Sequence, residues 1–568
     1  MIASLFSASL LGLAAAIPSP PEPLLFSRAA CSGNTANTRS EWCDFSVDTD
    51  YTSIAPDTGV TREYWFDITE TTASPDGVER YVQAINGSIP GPTIIADWGD
   101  TVIVHVTNSI AESTNGTSLH FHGIRQNFTN QNDGVPSITQ CPTAPGSSMT
   151  YTWKALQYGS GWYHSHFALQ AYQGVFGGIV INGPATSNYD EDLGHLFLND
   201  WSHQTVDQLF HAAQTTGPPT LNNGLINGTN VFGEDGEAGQ VGSRFAVSLT
   251  EGNSYRLRIV NAAVDSHFKF MVDNHTLTVI ATDFVPIEPF TTDILSIGMG
   301  QRYDVIITAN QANVADSFWM RAIPQSACSE NESQDNIRGI VRYGSSTATP
   351  STSRPDSYSE GCEDMDVSNL VPHVAKTASS ISSKGVEQAT VGFNEKNLFR
   401  WYLNSTTMLV EWGDPTLLAI QRGQTTWDTS DAVIELPNAD EWVYIVIETA
   451  LAIPHPIHLH GHDFLVLAQG SGTFSDSVTL NTNNPARRDT AMLPASGYLA
   501  LAFETDNPGA WLMHCHIGWH TSEGFSLQFI ERYDEIAGLI DSDILNSTCS
   551  AWATYEEQFS VEQEDSGL

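Results

Sequence analysis

The chain has 568 residues, of which 41% are hydrophobic and 15% charged, and its formal net charge at pH 7 is −42. This length allows about three or four domains of roughly 150 residues each, and the composition is that of a globular chain and excludes an intrinsically disordered one. So negative a charge argues against nucleic acid or an anionic membrane surface as a partner.

The N-terminal segment MIASLFSASLLGLAAA has an apolar core and ends in three alanines. This pattern predicts a signal peptide over residues 1–16 and hence secretion to the extracellular space. A second cut after Arg28 would release a pro-segment over residues 17–28. No later segment has about 20 consecutive apolar residues, so we expect no membrane-spanning helix.

Strand-like runs with turn residues between them follow along the rest of the chain, at 101–108, 176–183, 244–262, 302–310 and 442–450. Long amphipathic helical patterns are scarce, which favours an all-β chain of sandwich or barrel units. The stretch 351–390 is rich in Ser, Thr, Pro and Asp and predicts a linker. We therefore place domains at 44–184, 185–350 and 391–568.

Histidine clusters mark the first and last thirds of the chain. Each third has two HxH pairs in similar contexts, whereas the middle third has none. Because side chains alternate along a strand, each pair aims two imidazoles at one face. Eight imidazoles would then enclose a multinuclear metal cluster between the first and last domains: His120, His122, His164, His166, His458, His460, His514 and His516.

Three further residues predict a second site, two of them by their opposite parity and one by its place after a turn. Cys515 lies between His514 and His516, and His455 lies three residues before His458. His520 is positioned to return from the turn that follows. A thiolate with two imidazoles is the ligand set of blue-copper sites. Zinc is a competing metal, but its structural sites are closed and four-coordinate, which fits eight imidazoles beside a separate Cys/His₂ site poorly.

Four other histidines are predicted to be structural or exposed rather than metal ligands: His105, His267, His275 and His462.

The seven cysteines include one that cannot pair within the chain. In an oxidising compartment six can form disulfides, and its flanking histidines make Cys515 the free one. Proximity suggests Cys31–Cys43 and Cys328–Cys362, which leaves Cys141–Cys549; the pairing is a hypothesis. Eight Asn-X-Ser/Thr sequons predict N-glycans: Asn86, Asn115, Asn127, Asn227, Asn274, Asn331, Asn404 and Asn546.

The blocks HFHG, HSH, HPIHLHGH and HCHIGWHTSEGF resemble the four copper-binding signatures of multicopper oxidases, specifically fungal laccases of the ascomycete type. The resemblance runs from about residue 45 to 568 and includes the runs NGSIPGPTI and GQRYDVII. It implies an all-β chain of three consecutive cupredoxin-like Greek-key sandwich or barrel domains that hold four copper ions.

The resemblance also implies a role for each ligand. His455, Cys515 and His520 would bind the type 1 copper, and His120 with His458 the type 2 copper. The type 3 pair would be bound by the other six: His122, His164, His166, His460, His514 and His516. Such an enzyme oxidises small phenols, diphenols or aromatic amines and reduces dioxygen to water. We expect a monomer, with lignin or phenolic degradation, detoxification or pigment formation as its setting.

Three further residues match functional positions of laccases. Phe525, ten residues after Cys515, takes the axial position, where ascomycete members usually carry Leu; a side chain without a donor predicts a high potential. Asp265 matches the acid that binds phenols, with a turn-capping Asp as the plain alternative. Asp133 matches an acid near the type 2 copper that helps deliver protons, although an Asp-Gly turn also explains it.

Two positions concern the proton route and the chain terminus. Gly518 stands where basidiomycete laccases carry a second acid near the cluster, so the proton route is expected to differ. The C-terminal residues 565–568 resemble a DSGL tail that plugs the channel to the trinuclear site.

Two other functions remain open. A ferroxidase would need acidic iron-binding residues around the type 1 site, for which Asp265 alone is thin support. A non-catalytic copper-binding cell-wall protein predicts missing ligands, yet all eleven are present.

Overall fold

A computed structural model describes residues 33–110, 116–379, 383–559 and 561. The predicted signal peptide, pro-segment and C-terminal tail lie outside the described residues, as do Cys31 and the sequon Asn115. Most regular structure in the described part is strand, arranged in three successive pairs of sheets, which confirms the all-β prediction. No described helix combines the length and the apolar content needed to span a bilayer.

The first sandwich contains two four-stranded sheets. Along Thr101–Asn108, half-buried and buried residues alternate, so that Val102, Val104 and Val106 point into the core as the period of a strand requires. In spatial order the sheets are Arg80–Ile85, Thr61–Ala73, Thr101–Asn108 and Ser148–Lys154, and then Gly91–Asp97, Phe176–Asn182, Gly159–His164 and His120–His122.

The middle sandwich has a six-stranded and a five-stranded sheet. The first contains Asn223–Ile226, Glu191–Trp201, Ser254–Asn261, Arg302–Thr308, Leu277–Thr282 and Val285–Thr292. The second contains Ala246–Leu249, Arg338–Tyr343, Ser317–Pro324, Phe268–Val272 and Leu295–Ile297.

The last sandwich has the same two sizes of sheet. One contains Phe399–Leu403, Ser383–Phe393, Trp442–Thr449, Gly497–Glu504, Phe464–Ser471 and Arg487–Arg488; the other contains Val433–Leu436, Ser526–Glu531, Gly509–Cys515, His455–Leu459 and Thr490–Leu493. The predicted domain boundary at 391 falls inside Ser383–Phe393 and is wrong. This strand pairs in parallel with Trp442–Thr449, so the last sandwich begins earlier.

One strand order recurs in all three sandwiches. The opening strands Thr61–Ala73, Glu191–Trp201 and Ser383–Phe393 each pair in parallel with a later strand of the same sheet. The strand that follows each opening strand ends in a two-residue turn that starts at Asn86, Asn227 or Asn404, all with positive φ. Asn is favoured in such turns, so turn geometry alone explains three of the sequons. The middle third therefore repeats the fold without repeating the HxH pairs.

Short hairpins and helices complete the described structure. The hairpins are Glu41–Trp42 with Phe45–Ser46, and Val231–Phe232 with Val241–Gly242. The helices are Val206–Thr216, Thr416–Gln421, Gly518–Ser522, Tyr533–Ile536 and Ser542–Phe559, with 3-10 turns at Asn130–Asn132, Gln170–Gln173 and Thr429–Asp431.

The helix Ser542–Phe559 was not foreseen from the sequence. It buries Leu545, Cys549, Trp552 and Tyr555, which recur every three or four residues as on one helix face.

Two predicted disulfides are confirmed, Cys141–Cys549 and Cys328–Cys362, and Cys515 is free and buried. The Cys31–Cys43 pairing stays a prediction because Cys31 is not described. A glycan at Asn331 is disfavoured, because this side chain is buried and its Nδ2 donates to the Asn223 carbonyl.

Candidate metal centre

Eight buried imidazoles meet where the first and last sandwiches face each other. In the first sandwich, His120 lies opposite His164 on paired strands. In the last, His458 lies opposite His514. The strand pairs thus present their imidazoles to a common space. Ring nitrogens from both sandwiches approach within 4.8 Å of one another in two groups: His120 with His458 and His460, and His166 with His460 and His514.

The nitrogen atoms of this cluster have the properties of metal ligands. Nε2 of His120, His164 and His458, and both nitrogens of His166, are buried without a hydrogen-bond partner among the described residues. Leaving such atoms unsatisfied is costly. Burial lowers the pKa of His164, His166 and His458 well below its usual value, so these imidazoles are neutral, the form that binds metals.

A second candidate site lies wholly within the last sandwich and contains His455, Cys515 and His520. The Cys515 Sγ lies 3.9 Å from His455 Nδ1 and 3.6 Å from His520 Nδ1, and the two nitrogens are 3.2 Å apart. Burial raises the pKa of the Cys515 thiol, so its thiolate needs a cation beside it.

Aromatic rings line one side of this second site. The Phe525 ring lies 5.2 Å from the His455 ring and stacks on Trp401 at 4.9 Å. Trp401 also lies 4.3 Å from the His520 ring. Phe525 therefore lies beside the site and offers it no donor atom, and its axial position stays a prediction. The sequence does not predict the contact of Trp401 with this site, because the run FRWYL indicates only a strand.

A single strand connects the two sites. His514 and His516 flank Cys515 and turn to the opposite face, into the imidazole cluster. The His514 Nε2 lies 3.2 Å from His460 Nε2, and the His516 Nε2 lies 3.3 Å from His122 Nδ1. The backbone of three residues thus links the thiolate to both imidazoles.

Comparison with known proteins agrees with this donor set. Models described as "Multicopper oxidase" match residues 67–186, 193–346 and 388–535. The chain belongs to the multicopper oxidase family. It is similar to Laccase-2 of Botryotinia fuckeliana, with 47% identity over 97% of this chain and 96% of the relative. Laccase-1 of Melanocarpus albomyces is 42% identical over 94% of this chain and 89% of the relative.

Solved structures agree with the relatives. The laccase from Botrytis aclada superposes with a TM-score of 0.90 at 46% identity, covering 94% of this chain and 99% of that one. Fet3p, a multicopper oxidase described as functioning in iron import, gives a TM-score of 0.77 at 26% identity, covering 87% of this chain and 95% of that one. Family and donor set together identify copper as the metal that this multicopper oxidase binds.

Asp265 lies next to the Cys515 site, at the edge of the middle sandwich. Asp200 accepts hydrogen bonds from the backbone N–H groups of Val264, Asp265 and Ser266 at 2.9 Å each, which fixes the loop. Burial, and then the Asp200 carboxylate, raise the pKa of Asp265 to about 7, with a smaller opposing effect from Trp519. Because Trp519 precedes His520, this acid lies close to the predicted ligand.

Asp133 contacts two imidazoles of the cluster on their outer side. Its Oδ2 lies 2.8 Å from His460 Nδ1, and its carbonyl oxygen lies 2.8 Å from His120 Nδ1. These contacts leave the Nε2 atoms of both rings facing the cluster. The Asp-Gly turn is present too: a Cβ on Gly134 (φ +79°) would lie 1.9 Å from the Leu119 carbonyl oxygen. Asp133 thus occupies a turn and holds two predicted ligands.

Gly518 has no room for a side chain. A Cβ there would lie 2.5 Å from Tyr172 Cε2 and 2.7 Å from Val264 Cγ2. Its N–H donates to the Val264 carbonyl, so the peptide itself packs against the middle sandwich. An acid at this position would require these neighbours to move.

Asp489 and Arg302 are buried beside the cluster and were not foreseen. Asp489 Oδ1 lies 3.3 Å from His122 Nε2, and its carbonyl oxygen lies 2.8 Å from His458 Nδ1. The sequence offered one signal for Asp489, the run of three charged residues Arg487-Arg488-Asp489. The structure buries all three.

The other histidines named above lie outside the candidate metal groups among the described residues. His267 contacts Ser296, His275 contacts Tyr343, and His462 contacts Glu531. His105 stacks on Trp65.

Proposed function

We propose that this protein is a secreted laccase, which oxidises small phenols, diphenols and aromatic amines by one electron and reduces dioxygen to two waters. The observation that carries the proposal is the single strand in which Cys515 faces His455 and His520 while His514 and His516 face the imidazole cluster. The similarity to fungal laccases along nearly the whole chain supports it.

The proposed cofactors are four copper ions. His455, Cys515 and His520 would hold one type 1 ion, and His120 with His458 one type 2 ion. The type 3 pair would be held by the remaining six: His122, His164, His166, His460, His514 and His516. When bound, copper supplies the one-electron chemistry that neither the protein nor the substrates can perform alone.

Electrons from the substrate are proposed to enter the protein at the Cys515 site, through His520. His520 is 6% exposed, whereas His455 and Cys515 are fully buried, so His520 is the ligand nearest to an organic substrate. Phe525 and Trp401 pack apolar rings against the site, beside His455 and His520. The absence of a donor at Phe525 favours a high potential.

Asp265 is proposed to accept the substrate's proton. A phenol that loses one electron also releases one proton as it becomes a neutral phenoxyl radical. A carboxylate beside the substrate removes that proton as the electron leaves. Because burial raises the pKa of Asp265 to about 7, it exchanges protons near neutral pH.

The dioxygen side consumes four protons with four electrons. Asp133, which contacts both His120 and His460, is proposed to deliver protons there. The C-terminal residues 565–568 are proposed to close the channel to the cluster. Deleting them is expected to alter oxygen reduction more than substrate oxidation, measured by single-turnover reduction and reoxidation, and equal effects would indicate general destabilisation instead.

Secretion is proposed from the N-terminal pattern, with N-glycans on exposed sequons and a monomeric state. The physiological setting is proposed to be lignin or phenolic degradation, detoxification or pigment formation, which share this chemistry.

The proposal is tested on the purified protein by visible and spin-resonance spectra and by oxygen uptake with a phenol or with ferrous iron. We expect an intense visible band from the Cys515 site and uptake driven by the phenol. Absence of the band would refute the type 1 assignment. Faster uptake with ferrous iron would indicate a ferroxidase, and copper without oxygen uptake would indicate a non-catalytic copper protein.

A further inference from the structure

His122 is turned around relative to five other imidazoles of the cluster. Each of those five places its Nδ1 within 3.0 Å of a protein oxygen, and thereby directs its Nε2 elsewhere: His120, His164, His458, His460 and His514. His122 instead places Nε2 at 3.3 Å from both Asp489 Oδ1 and Thr490 Oγ1. Its Nδ1 lies 3.3 Å from His516 Nε2, so it faces the cluster with the other nitrogen.

Asp489, which contacts His122, is itself held by the middle sandwich. Arg302 donates from Nη1 to Asp489 Oδ1 and from Nη2 to Asp489 Oδ2, both at 2.6 Å. Both residues are buried. A bidentate pair of this kind fixes orientation as well as supplying charge. It also leaves Asp489 a poor metal ligand, since both of its oxygens are already bound to a cation.

Two glycines leave the space that the Arg302 guanidinium and the imidazoles of His122 and His516 occupy. A Cβ on Gly123, directly after His122, would lie 2.2 Å from Arg302 Nη2. A Cβ on Gly300 would lie 2.7 Å from His516 Cδ2 and 3.1 Å from His122 Cε1. The middle sandwich, which supplies no predicted ligand, therefore reaches the cluster through the start of the run GQRYDVII.

We propose that Arg302, acting through Asp489, is a positioning residue that holds His122 with Nδ1 toward the copper cluster. The inference rests on the proposed function, because it takes His122 as a ligand. Partners that fix a ligating histidine through its other nitrogen commonly matter 10- to 100-fold, in rough terms, for metal affinity. The first and last sandwiches supply the imidazoles, and the middle one orients this imidazole.

The test compares Arg302→Lys with Arg321→Lys in the full-length, copper-loaded protein. Arg321 forms a similar bidentate pair with Asp273, at 2.8 and 2.9 Å, within the middle sandwich. Both changes keep the positive charge and lose the bidentate geometry. Copper is counted per chain during titration with a competing chelator, while the visible band reports the Cys515 site separately.

For Arg302→Lys we expect the cluster coppers to be lost at roughly 10- to 100-fold lower chelator concentration, with the visible band retained per chain. Arg321→Lys is expected to match the wild type. Wild-type retention in Arg302→Lys, or equal losses in both variants, would overturn the inference.

If Arg302→Lys does not fold, copper retention is measured for Asp489→Asn in the same chelator titration. It keeps an oxygen acceptor for His122 but loses the charged pair, and wild-type retention would again overturn the inference. Failure of the proposed function looks different: the wild-type protein itself would lack copper at the imidazole cluster.

Discussion

The two candidate copper sites are built in different ways. The Cys515 site takes all three of its predicted ligands from the last sandwich, and aromatic rings close one side of it. The imidazole cluster takes four residues from the first sandwich and four from the last, and a buried ion pair between Arg302 of the middle sandwich and Asp489 of the last touches its edge. The first site is therefore local, whereas the second exists only when the whole chain is assembled.

This difference separates two kinds of adjustment. Changes to residues around Cys515, such as Phe525 or Asp265, are expected to alter electron and proton transfer from the substrate. They are not expected to disturb the contact between the first and last sandwiches. Changes that loosen the contact between sandwiches affect the cluster first.

Removing the disulfide between the first sandwich and the C-terminal helix tests the assembly. The Cys141–Cys549 bond spans 408 residues of sequence. Cys141→Ser combined with Cys549→Ser is expected to lower the free energy of unfolding by about 4 kcal/mol, because the unfolded chain regains loop entropy. Thermal and denaturant unfolding measure this loss, and the visible band of the folded variant is expected to remain.

The matched control removes Cys328–Cys362, which spans 34 residues and joins no two sandwiches. Its loss is expected to be smaller, since closure entropy grows with loop length. An equal or larger loss of unfolding free energy in the control would contradict the prediction that the Cys141–Cys549 bond stabilises the fold more than Cys328–Cys362.

Asp265→Asn tests the local proton acceptor. We expect kcat/KM for a phenol to fall by about 100-fold, the lower range for general-base catalysis. An electron donor that has no proton to lose is expected to change by less than about threefold. Steady-state kinetics with both donors gives the comparison, and equal losses for the two would exclude a proton-accepting role.

The pH profile gives a second test of Asp265. Its pKa is raised to about 7, so the carboxylate is protonated below that pH and accepts a proton only above it. This residue therefore makes phenol oxidation rise as pH increases through about 7, and Asp265→Asn is expected to lose that rise. A variant with an unchanged profile would show that another group accepts the proton.

Phe525→Met tests the apolar wall and has the smallest expected effect. A thioether beside the type 1 copper stabilises its oxidised form, so the potential is expected to fall by on the order of 60 mV, which for one electron is tenfold in the equilibrium constant. Redox titration of the visible band measures it. Phe525→Leu, which also lacks a donor, is expected to stay close to the wild type, and a higher potential in Phe525→Met would contradict the assignment.

The period-two alternation of a strand allows predictions from short segments of sequence. Parity along HCH separates His514 and His516 from Cys515, and the structure places them on opposite faces. The sequons at Asn86 and Asn404 and the histidines that flank Cys515 are likewise visible in short windows. Such features depend on neighbours within a few residues, which is why the fold class and the grouping of histidines follow from the chain alone.

Contacts between distant segments could not be read in this way. The pairing of Arg302 with Asp489 joins residues far apart in sequence, and neither residue lies in a histidine block. Trp401 approaches His520 only because two sheets pack together. The composition of 351–390 predicts a linker that includes residues 383–390, although these residues form a strand because they pair with Trp442–Thr449.

Copper counting in the wild-type protein and in Cys515→Ser tests whether the chain holds two separate copper sites. We expect four copper ions per chain with an intense visible band in the wild type, and three ions without that band in Cys515→Ser, because the local site is lost while the assembled cluster remains. A Cys515→Ser protein that keeps the band, or a wild-type protein with no copper at the imidazole cluster, would contradict the two-site account.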